Sequence, residues 1–188
     1  MIDVLLSASV PLPERDRHYF ETADVLAIRE AIKALVEIVL PIGRITCGGH
    51  PAITPLLAFF VREAGLDRNH LTIFQSRFFE HVLPKENAEF QDVRIIDAVG
   101  GDREQSLLAM RVAMIESRAF AAAVFIGGME GVSAEAELFA QLRRGVAMLP
   151  IASTGAAAAD IFREAAFPAE FASELTYTTL FRRHLLPH

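Results

Sequence analysis

The feature that most constrains the fold is an uninterrupted run of small and apolar residues, 121–126, which stops abruptly at Gly127 and Gly128. Apolar runs of this length are typical of central parallel strands that are buried on both faces of a sheet. The order of apolar strand, turn and amphipathic helix recurs along the whole chain. The sequence therefore predicts an α/β protein with an open parallel sheet of about six strands and helices on both faces.

The residue pattern assigns these elements to definite segments. Strands are predicted at residues 2–8, 44–47, 71–75, 93–99, 121–126 and 146–150, and helices at 23–39, 51–64, 103–117, 132–142 and from the turn at 153–155 to about 166. Residues 76–91 show no clean period and are predicted to form a loop with one helical turn. We find no internal repeat and no linker, so residues 1–188 are expected to form one domain, with residues 168–188 as a C-terminal extension.

Composition excludes several classes of protein. The chain carries 18 basic and 24 acidic side chains, a net charge of −6, which argues against a nucleic-acid-binding surface. No apolar run reaches the 18 residues that a membrane span needs. The one cysteine, Cys47, cannot form an internal disulfide, and the start Met1-Ile2-Asp3 lacks the features of a signal peptide. We therefore expect a cytoplasmic protein that binds neither nucleic acid nor membranes.

Ligands of open α/β sheets lie beyond the carboxyl ends of the strands, so the loops there are the candidate site. The most informative loop runs from Gly127 through Gly128, Met129 and Gly131 to Val132. Paired glycines let a ligand approach the backbone, and the first amides of the following helix favour phosphate. The alternative is a tight strand-to-helix turn that holds no ligand.

A second glycine pair, Gly48 and Gly49, also leads from a strand into a helix. The adjacent His50 is a candidate to hydrogen-bond a phosphate or sugar or to act as an acid or base, with capping of its own helix as the alternative. Four hydroxyls follow the first and sixth strands, and each is a candidate ligand donor or an ordinary turn residue. These hydroxyls belong to Ser7, Ser9, Ser153 and Thr154.

Metal, cofactor and nucleophile motifs are missing from the sequence. The chain has one cysteine and six histidines without paired ligand spacing, so we expect no metal site and no other cofactor. Neither GxGxxG nor GxxxxGK[ST] occurs, which excludes an ordinary dinucleotide fingerprint and a P-loop. At the end of a strand, Cys47 is predicted to be a small buried apolar residue.

The loop Gly127-Gly128-x-x-Gly131-Val132-x-x-Glu135 resembles the PGGxGTxxE signature of the "lonely guy" phosphoribohydrolases, also described as putative lysine decarboxylases. That family belongs to the SLOG superfamily of Rossmann-like nucleotide-binding domains. It carries a catalytic arginine 16 residues before the first glycine of the signature, which is the position of Arg111 here. By this resemblance, Arg111 and Glu135 form a catalytic pair that cleaves the N-glycosidic bond of a nucleoside monophosphate. The alternative for these two residues is a surface salt bridge between helices.

Three segments, 6–11, 48–53 and 126–132, are more similar to sensor-type SLOG members. That resemblance implies a regulatory domain that binds a nucleotide or an NAD-derived ligand such as ADP-ribose. Ile126 replaces the proline of the signature, Val132 its threonine, and Val112 the lysine that follows the catalytic arginine. Because the glycine turns are kept while the catalytic signature is altered, we expect a sensor, with the N-glycosidase as the alternative and a purely structural domain as a third hypothesis.

The resemblance also implies a homo-oligomer, since dimers are common in the superfamily. A surplus of phenylalanines agrees with that expectation, although sequence does not separate interface from core. They are Phe59, Phe60, Phe78, Phe79 and Phe90.

Overall fold

Six parallel strands form the centre of the computed structural model, which describes residues 1–186. The predicted six-stranded, Rossmann-like α/β architecture is confirmed. The strands are β1 (Ile2–Ser9), β2 (Gly43–Gly48), β3 (Leu71–Ser76), β4 (Asp92–Ile96), β5 (Ala122–Gly127) and β6 (Ala147–Ile151). The helices are α1 (Arg17–Thr22), α2 (Val25–Val39), α3 (Thr54–Glu63), α4 (Arg103–Glu116), α5 (Glu130–Leu142), α6 (Ala156–Glu164), α7 (Glu170–Ser173) and α8 (Tyr177–Leu185).

The strands lie in the order β4-β3-β2-β1-β5-β6. Strands β2, β3 and β4 follow one another on one side of β1. The chain then crosses back, and β5 and β6 lie on the other side of β1. The strand order therefore reverses between β1 and β5, where their carboxyl ends open a crevice. In this crevice, Ser9 at the end of β1 pairs in register with Gly127 at the end of β5.

Alternate side chains of each strand point into two apolar cores on opposite faces of the sheet. Val4 and Leu6 of β1 pack with α2, α3, α7 and α8, whereas Leu5 packs with α4, α5 and α6. Helix α2 is buried along most of its length because it packs against α3 and α8 as well as against the sheet. Burial on both faces explains why β5 carries no polar side chain.

Several predicted boundaries were wrong. Strand β4 ends at Ile96 rather than at residue 99, because its partner β3 ends at Ser76, which pairs with Ile96. Helix α3 begins at Thr54 rather than at residue 51, since residues 51–53 form a turn. The loop predicted at 76–91 contains two short 3-10 helices, Arg77–Val82 and Lys85–Glu89.

Two further elements lay outside the predicted pattern. Helix α1, capped by Asp16, is too short for its period to be recognised in the sequence. The predicted C-terminal extension folds into α7 and α8 up to the last described residue, and residues 187 and 188 lie outside the described part of the chain.

The phenylalanines considered for an interface are divided between core and surface. Phe60 and Phe90 are buried and belong to the core, whereas 40% of Phe59 is exposed. Phe78 and Phe79 are partly buried in the first 3-10 helix.

Candidate functional site

A cavity of about 770 Å³ lies at the carboxyl ends of β1, β2 and β3, in front of the first turn of α5. Its floor is formed by strand ends such as Ser9, Gly48 and Gln75. Residues 10–15 after β1, helix α4 and the 3-10 segment after β3 provide the walls. The volume falls in the range of small-molecule sites, about 300–1,000 Å³.

The β5–α5 turn bends sharply so that α5 points its amino end at the cavity. Gly127 and Gly128 have φ values of 55° and 97°, a left-handed region that favours glycine. Their backbone amides make hydrogen bonds within the protein. The amide of Gly127 donates to Thr154 Oγ1 at 2.8 Å, and the amide of Gly128 donates to the carbonyl of Ser9 at 2.9 Å. The two glycines therefore shape the turn, and Met129 and Gly131 line the cavity.

Glu135 ties three elements together beside the cavity. One oxygen of its carboxylate accepts from Ser7 Oγ at 2.6 Å, and the other accepts from Arg111 Nε at 3.4 Å. Thus β1, α4 and α5 are joined through one side chain. Burial raises the pKa of Glu135, and the neighbouring Arg111 and Ser7 oppose that rise. Arg111 and Glu135 are therefore an interhelix ion pair, but one whose side chains are only 15% and 13% exposed.

The guanidinium of Arg111 also lies against the first turn of α5. A Cβ added at Gly131 would come within 3.2 Å of Arg111 Nη2. The absence of a side chain at Gly131 thus allows a cation to approach the positive end of the α5 dipole. No side chain caps this helix end within the described residues, because Met129 occupies the N-cap position without a side-chain hydrogen bond.

The β2–α3 turn forms another part of the wall. His50 Nδ1 accepts from the backbone amide of Ala52 at 3.2 Å, and the amide of His50 donates to Thr54 Oγ1 at 3.2 Å. Burial, together with the positive charge of Arg15, lowers the pKa of His50 to about 4. At neutral pH the ring is therefore uncharged, and its proton lies on Nε2 because Nδ1 accepts. His50 consequently helps to order its own turn and lines the cavity, but it does not cap α3, whose N-cap residue Ile53 has no side-chain cap hydrogen bond.

Cys47 lines the floor but is 2% exposed. Burial, together with the nearby Glu135 carboxylate, raises the pKa of its thiol to about 12. The thiol therefore stays protonated and lacks the thiolate that a nucleophile needs.

The structure brings most, but not all, of the candidate residues together. Those that line the cavity are Ser9, Gly48, Gly49, His50, Arg111, Met129, Gly131, Val132 and Glu135. Ser7, Gly127 and Gly128 lie immediately behind its wall. Ser153 and Thr154 are directed elsewhere: Ser153 Oγ donates to the carbonyl of Glu174 at 3.1 Å, and Thr154 Oγ1 donates to that of Ile151 at 2.6 Å.

Several polar lining residues were not predicted from the sequence, among them Arg15 and Gln75. Arg15 sits at the mouth, where its guanidinium is 2.7 Å from a carboxylate oxygen of Glu130. Gln75, at the end of β3, is 5% exposed and lines the floor. The signal for Gln75 was available, since an amide side chain near the end of a buried strand is unusual.

The charged groups of the cavity are balanced. Its lining includes three cationic side chains, Arg15, Arg103 and Arg111, and three anionic ones, Glu104, Glu130 and Glu135.

Among residues 1–186 no cluster of three or more His, Cys, Asp or Glu side chains is suited to a metal ion. Nor does any helix in the described chain have the length and apolar character to cross a membrane.

Comparison with known proteins places this architecture in a family. The X-ray structure of TM1055, a target of the Northeast Structural Genomics Consortium, superposes with a TM-score of 0.60, covering 98% of this chain and 100% of that chain at 14% identity. This likeness is one of fold. No curated protein matches the sequence significantly. The model of the SLOG cluster3 family matches residues 18–185, which include both helices of the ion pair and the β5–α5 turn, and the chain therefore belongs to the SLOG cluster3 family.

Proposed function

We propose that the cavity binds a nucleotide or an NAD-derived ligand such as ADP-ribose, and that the protein acts as a sensor or regulatory domain for it. The observation that carries the proposal is the position of the Arg111 guanidinium against the open amino end of α5, inside a cavity of about 770 Å³ at the strand-order reversal. Membership of the SLOG cluster3 family supports a nucleotide-related function.

The phosphate of the ligand would lie between Arg111 and the first turn of α5. Arg111 uses Nε toward Glu135, and Nη2 lies beside Gly131. The backbone amides at a helix start and a guanidinium both donate to anionic oxygens, so the two act on the same group. Glu135 and Ser7 in turn hold the guanidinium in place.

The charge of the cavity limits the number of phosphates. Three cationic and three anionic side chains line it, so the lining supplies no net positive charge. A ligand with one phosphate, or with a diphosphate bridge, suits such a lining better than a triphosphate does. We therefore expect AMP, ADP-ribose or NAD to bind more tightly than ATP.

The hydrogen bonds and the raised pKa of Glu135 support binding of the ligand rather than its hydrolysis. Both of its oxygens are already engaged, one by Ser7 and the other by Arg111. Burial, which raises its pKa, disfavours the free carboxylate that would stabilise a positive charge developing on a ribose. Val132, next to this site, offers no hydroxyl to a ligand.

Thermal unfolding in the presence of AMP, ADP-ribose, NAD and ATP tests the proposal. A ligand at 100 times its Kd adds about 2.7 kcal/mol of stability, which is readily detected. Titration calorimetry should then show at least about tenfold weaker binding to Arg111→Met, a loss of about 1.4 kcal/mol. Arg144→Met, which removes an exposed arginine outside the cavity, should bind as the parent protein does.

The same samples distinguish sensing from hydrolysis. Each bound ligand is incubated with the protein and analysed for released base by chromatography. A stable complex supports the sensor, and accumulating free base would show the protein to be an N-glycosidase instead. If no member of the panel shifts the unfolding temperature, nucleotide binding is refuted.

A further inference from the structure

The side-chain amide of Gln75 is an anomaly in this fold. Gln75 is the penultimate residue of β3 and is 5% exposed, yet Nε2 has no hydrogen-bond partner within the described chain. A buried amide donor without a partner is costly, and native proteins satisfy nearly all such groups. Nε2 is covered in part by the Gly49 backbone, while Gln75 also lines the cavity, so a rotation of the carboxamide would bring this donor to a ligand.

Gly49 makes room for that amide. A Cβ at Gly49 would lie 1.8 Å from Gln75 Nε2 and 2.4 Å from Cδ, so the carboxamide rests directly on the Gly49 backbone. Gly49 does not have the positive φ that explains other glycines of the chain, such as Gly127. Position 49 therefore requires glycine because a Cβ would collide with the Gln75 side chain. The amide of Gly49 also donates to the carbonyl of Phe74 at 2.8 Å, which ties the two strand ends together.

The cavity extends from the α5 turn toward Gln75 and away from β6. Its lining includes the ends of β1, β2 and β3, and among the described residues none of β6. Three strand spacings separate β3 from β5, a distance of about 14 Å. A nucleotide whose phosphate lies between Arg111 and the first turn of α5 can therefore direct its sugar and base along the cavity toward β3.

The surroundings of Gln75 are suited to a planar base. The segment that follows β3 adds four apolar residues to the cavity wall: Phe79, Val82, Leu83 and Pro84. An apolar wall with a single well-placed polar group is the usual construction of a site that orients an aromatic ligand.

We propose that Gln75, supported by Gly49, is the residue that recognises the base of the ligand, and that this base is adenine. This inference rests on the proposed nucleotide binding. A carboxamide offers a donor beside an acceptor, and adenine presents the complementary pair at N7 and N6. Gln75 Nε2 donates to the ring nitrogen, and Gln75 Oε1 accepts from the exocyclic amine.

Gln75→Met is the decisive variant, because it keeps the length of the side chain and removes its hydrogen bonds. Calorimetry with AMP and with ribose 5-phosphate, which lacks a base, separates base recognition from phosphate binding. We expect AMP to bind Gln75→Met about tenfold to hundredfold more weakly, as loss of a good bidentate pair implies. Ribose 5-phosphate should bind the variant as it binds the parent protein.

Three further measurements exclude a merely structural role. The unliganded Gln75→Met protein should unfold at no lower temperature than the parent, since Nε2 has no partner to lose. Gly49→Ala, which displaces the amide, should weaken AMP binding in the same way. Asn87→Leu is the matched control, because Asn87 also has buried, unpartnered amide atoms but does not line the cavity.

The outcomes separate this inference from the proposed function. If the parent protein binds AMP and Gln75→Met binds it equally well, Gln75 does not recognise the base, and nucleotide binding stands. If the parent protein binds GMP more tightly than AMP, the assignment of adenine is overturned. If none of AMP, ADP-ribose and NAD binds the parent protein, the proposed function fails and this inference with it.

Discussion

Glu135 shows how one buried side chain can couple the fold to the site. Ser7 and Arg111 each hydrogen-bond one of its oxygens, so β1, α4 and α5 depend on the same carboxylate. Removing only one member of a buried ion pair is more damaging than removing both, because a charge is left without compensation.

Arg111→Met should therefore lower the free energy of unfolding by about 3 kcal/mol at pH 7. Without the guanidinium the pKa of Glu135 rises further, and a raised folded-state pKa means that the lost stability returns as the pH falls. Urea unfolding at pH 7 and pH 5 should show the deficit of the variant shrinking on acidification. The double variant Arg111→Met/Glu135→Gln should recover part of the loss at pH 7. A deficit that is equal at both pH values would contradict this account.

His50 should make the stability of the protein fall on acidification, the opposite of the trend expected for Arg111→Met. Its pKa is lowered from 6.5 to about 4 by burial and by Arg15, so the folded state holds the proton less tightly than the unfolded state. The stability from His50 is complete above about pH 6.5 and is lost as the pH falls through 4. His50→Asn, whose Oδ1 can replace Nδ1 as acceptor, should lack this loss. Unfolding free energies of both proteins at pH 7, 5.5 and 4.5 test the expectation, and parallel curves would contradict it.

At the scale of elements, the strand-to-helix turns determine where ligand groups can be held. The β5–α5 turn uses the amides of Gly127 and Gly128 inside the protein and leaves the start of α5 facing the cavity. The space at Gly127 is tight, since an added Cβ would lie 2.4 Å from Ile28 Cδ1 and 3.0 Å from the carbonyl oxygen of Ser9. The turn therefore tolerates no side chain at this position.

Gly127→Ala should destabilise the protein by about 2–4 kcal/mol, from the left-handed backbone together with the clash. Gly145 is the matched control, because it also has positive φ but its added Cβ would meet nothing within 4 Å. Gly145→Ala should cost only the backbone contribution of about 1–2 kcal/mol. Chemical unfolding of both variants measures the difference, and equal losses would show that space at Gly127 is not limiting.

At the scale of the whole molecule, the C-terminal extension is packed into the main core. Tyr177, Leu180, Phe181 and Leu185 of α8 are buried in the same apolar cluster as α2 and the sheet. Glu170 of α7 forms an ion pair with Arg183 of α8 and a hydrogen bond with His184, which hold the two short helices together. The extension thus completes the cover of this face, to which α2 and α3 also contribute.

Phe181→Ala should cost about 3–5 kcal/mol, because the side chain is fully buried and its removal leaves a cavity. Leu175→Ala, in the same extension but 66% exposed, should change stability by less than about 0.5 kcal/mol. Thermal and urea unfolding compare the two. A small effect of Phe181→Ala would show that the extension is dispensable for the core.

Local pattern was sufficient to predict the class of fold and some of the residues that line the cavity. The apolar run before Gly127 predicted a buried parallel strand because such strands are covered on both faces. The spacing of Arg111 and Glu135 relative to the glycines, interpreted through a family resemblance, correctly placed both on adjoining helices. Boundaries such as the start of α3 were missed because turn geometry overrides the period of apolar residues.

The sequence by itself determined which segments become strands and helices, because those choices depend on neighbours a few positions away. Only the tertiary structure decided the strand order β4-β3-β2-β1-β5-β6, and with it which strand ends share a cavity. That order brings Gln75 to the floor of the site and leaves Ser153 and Thr154 outside it. The reason is physical: side chains far apart in sequence meet only through sheet pairing and helix packing, which no local spacing encodes.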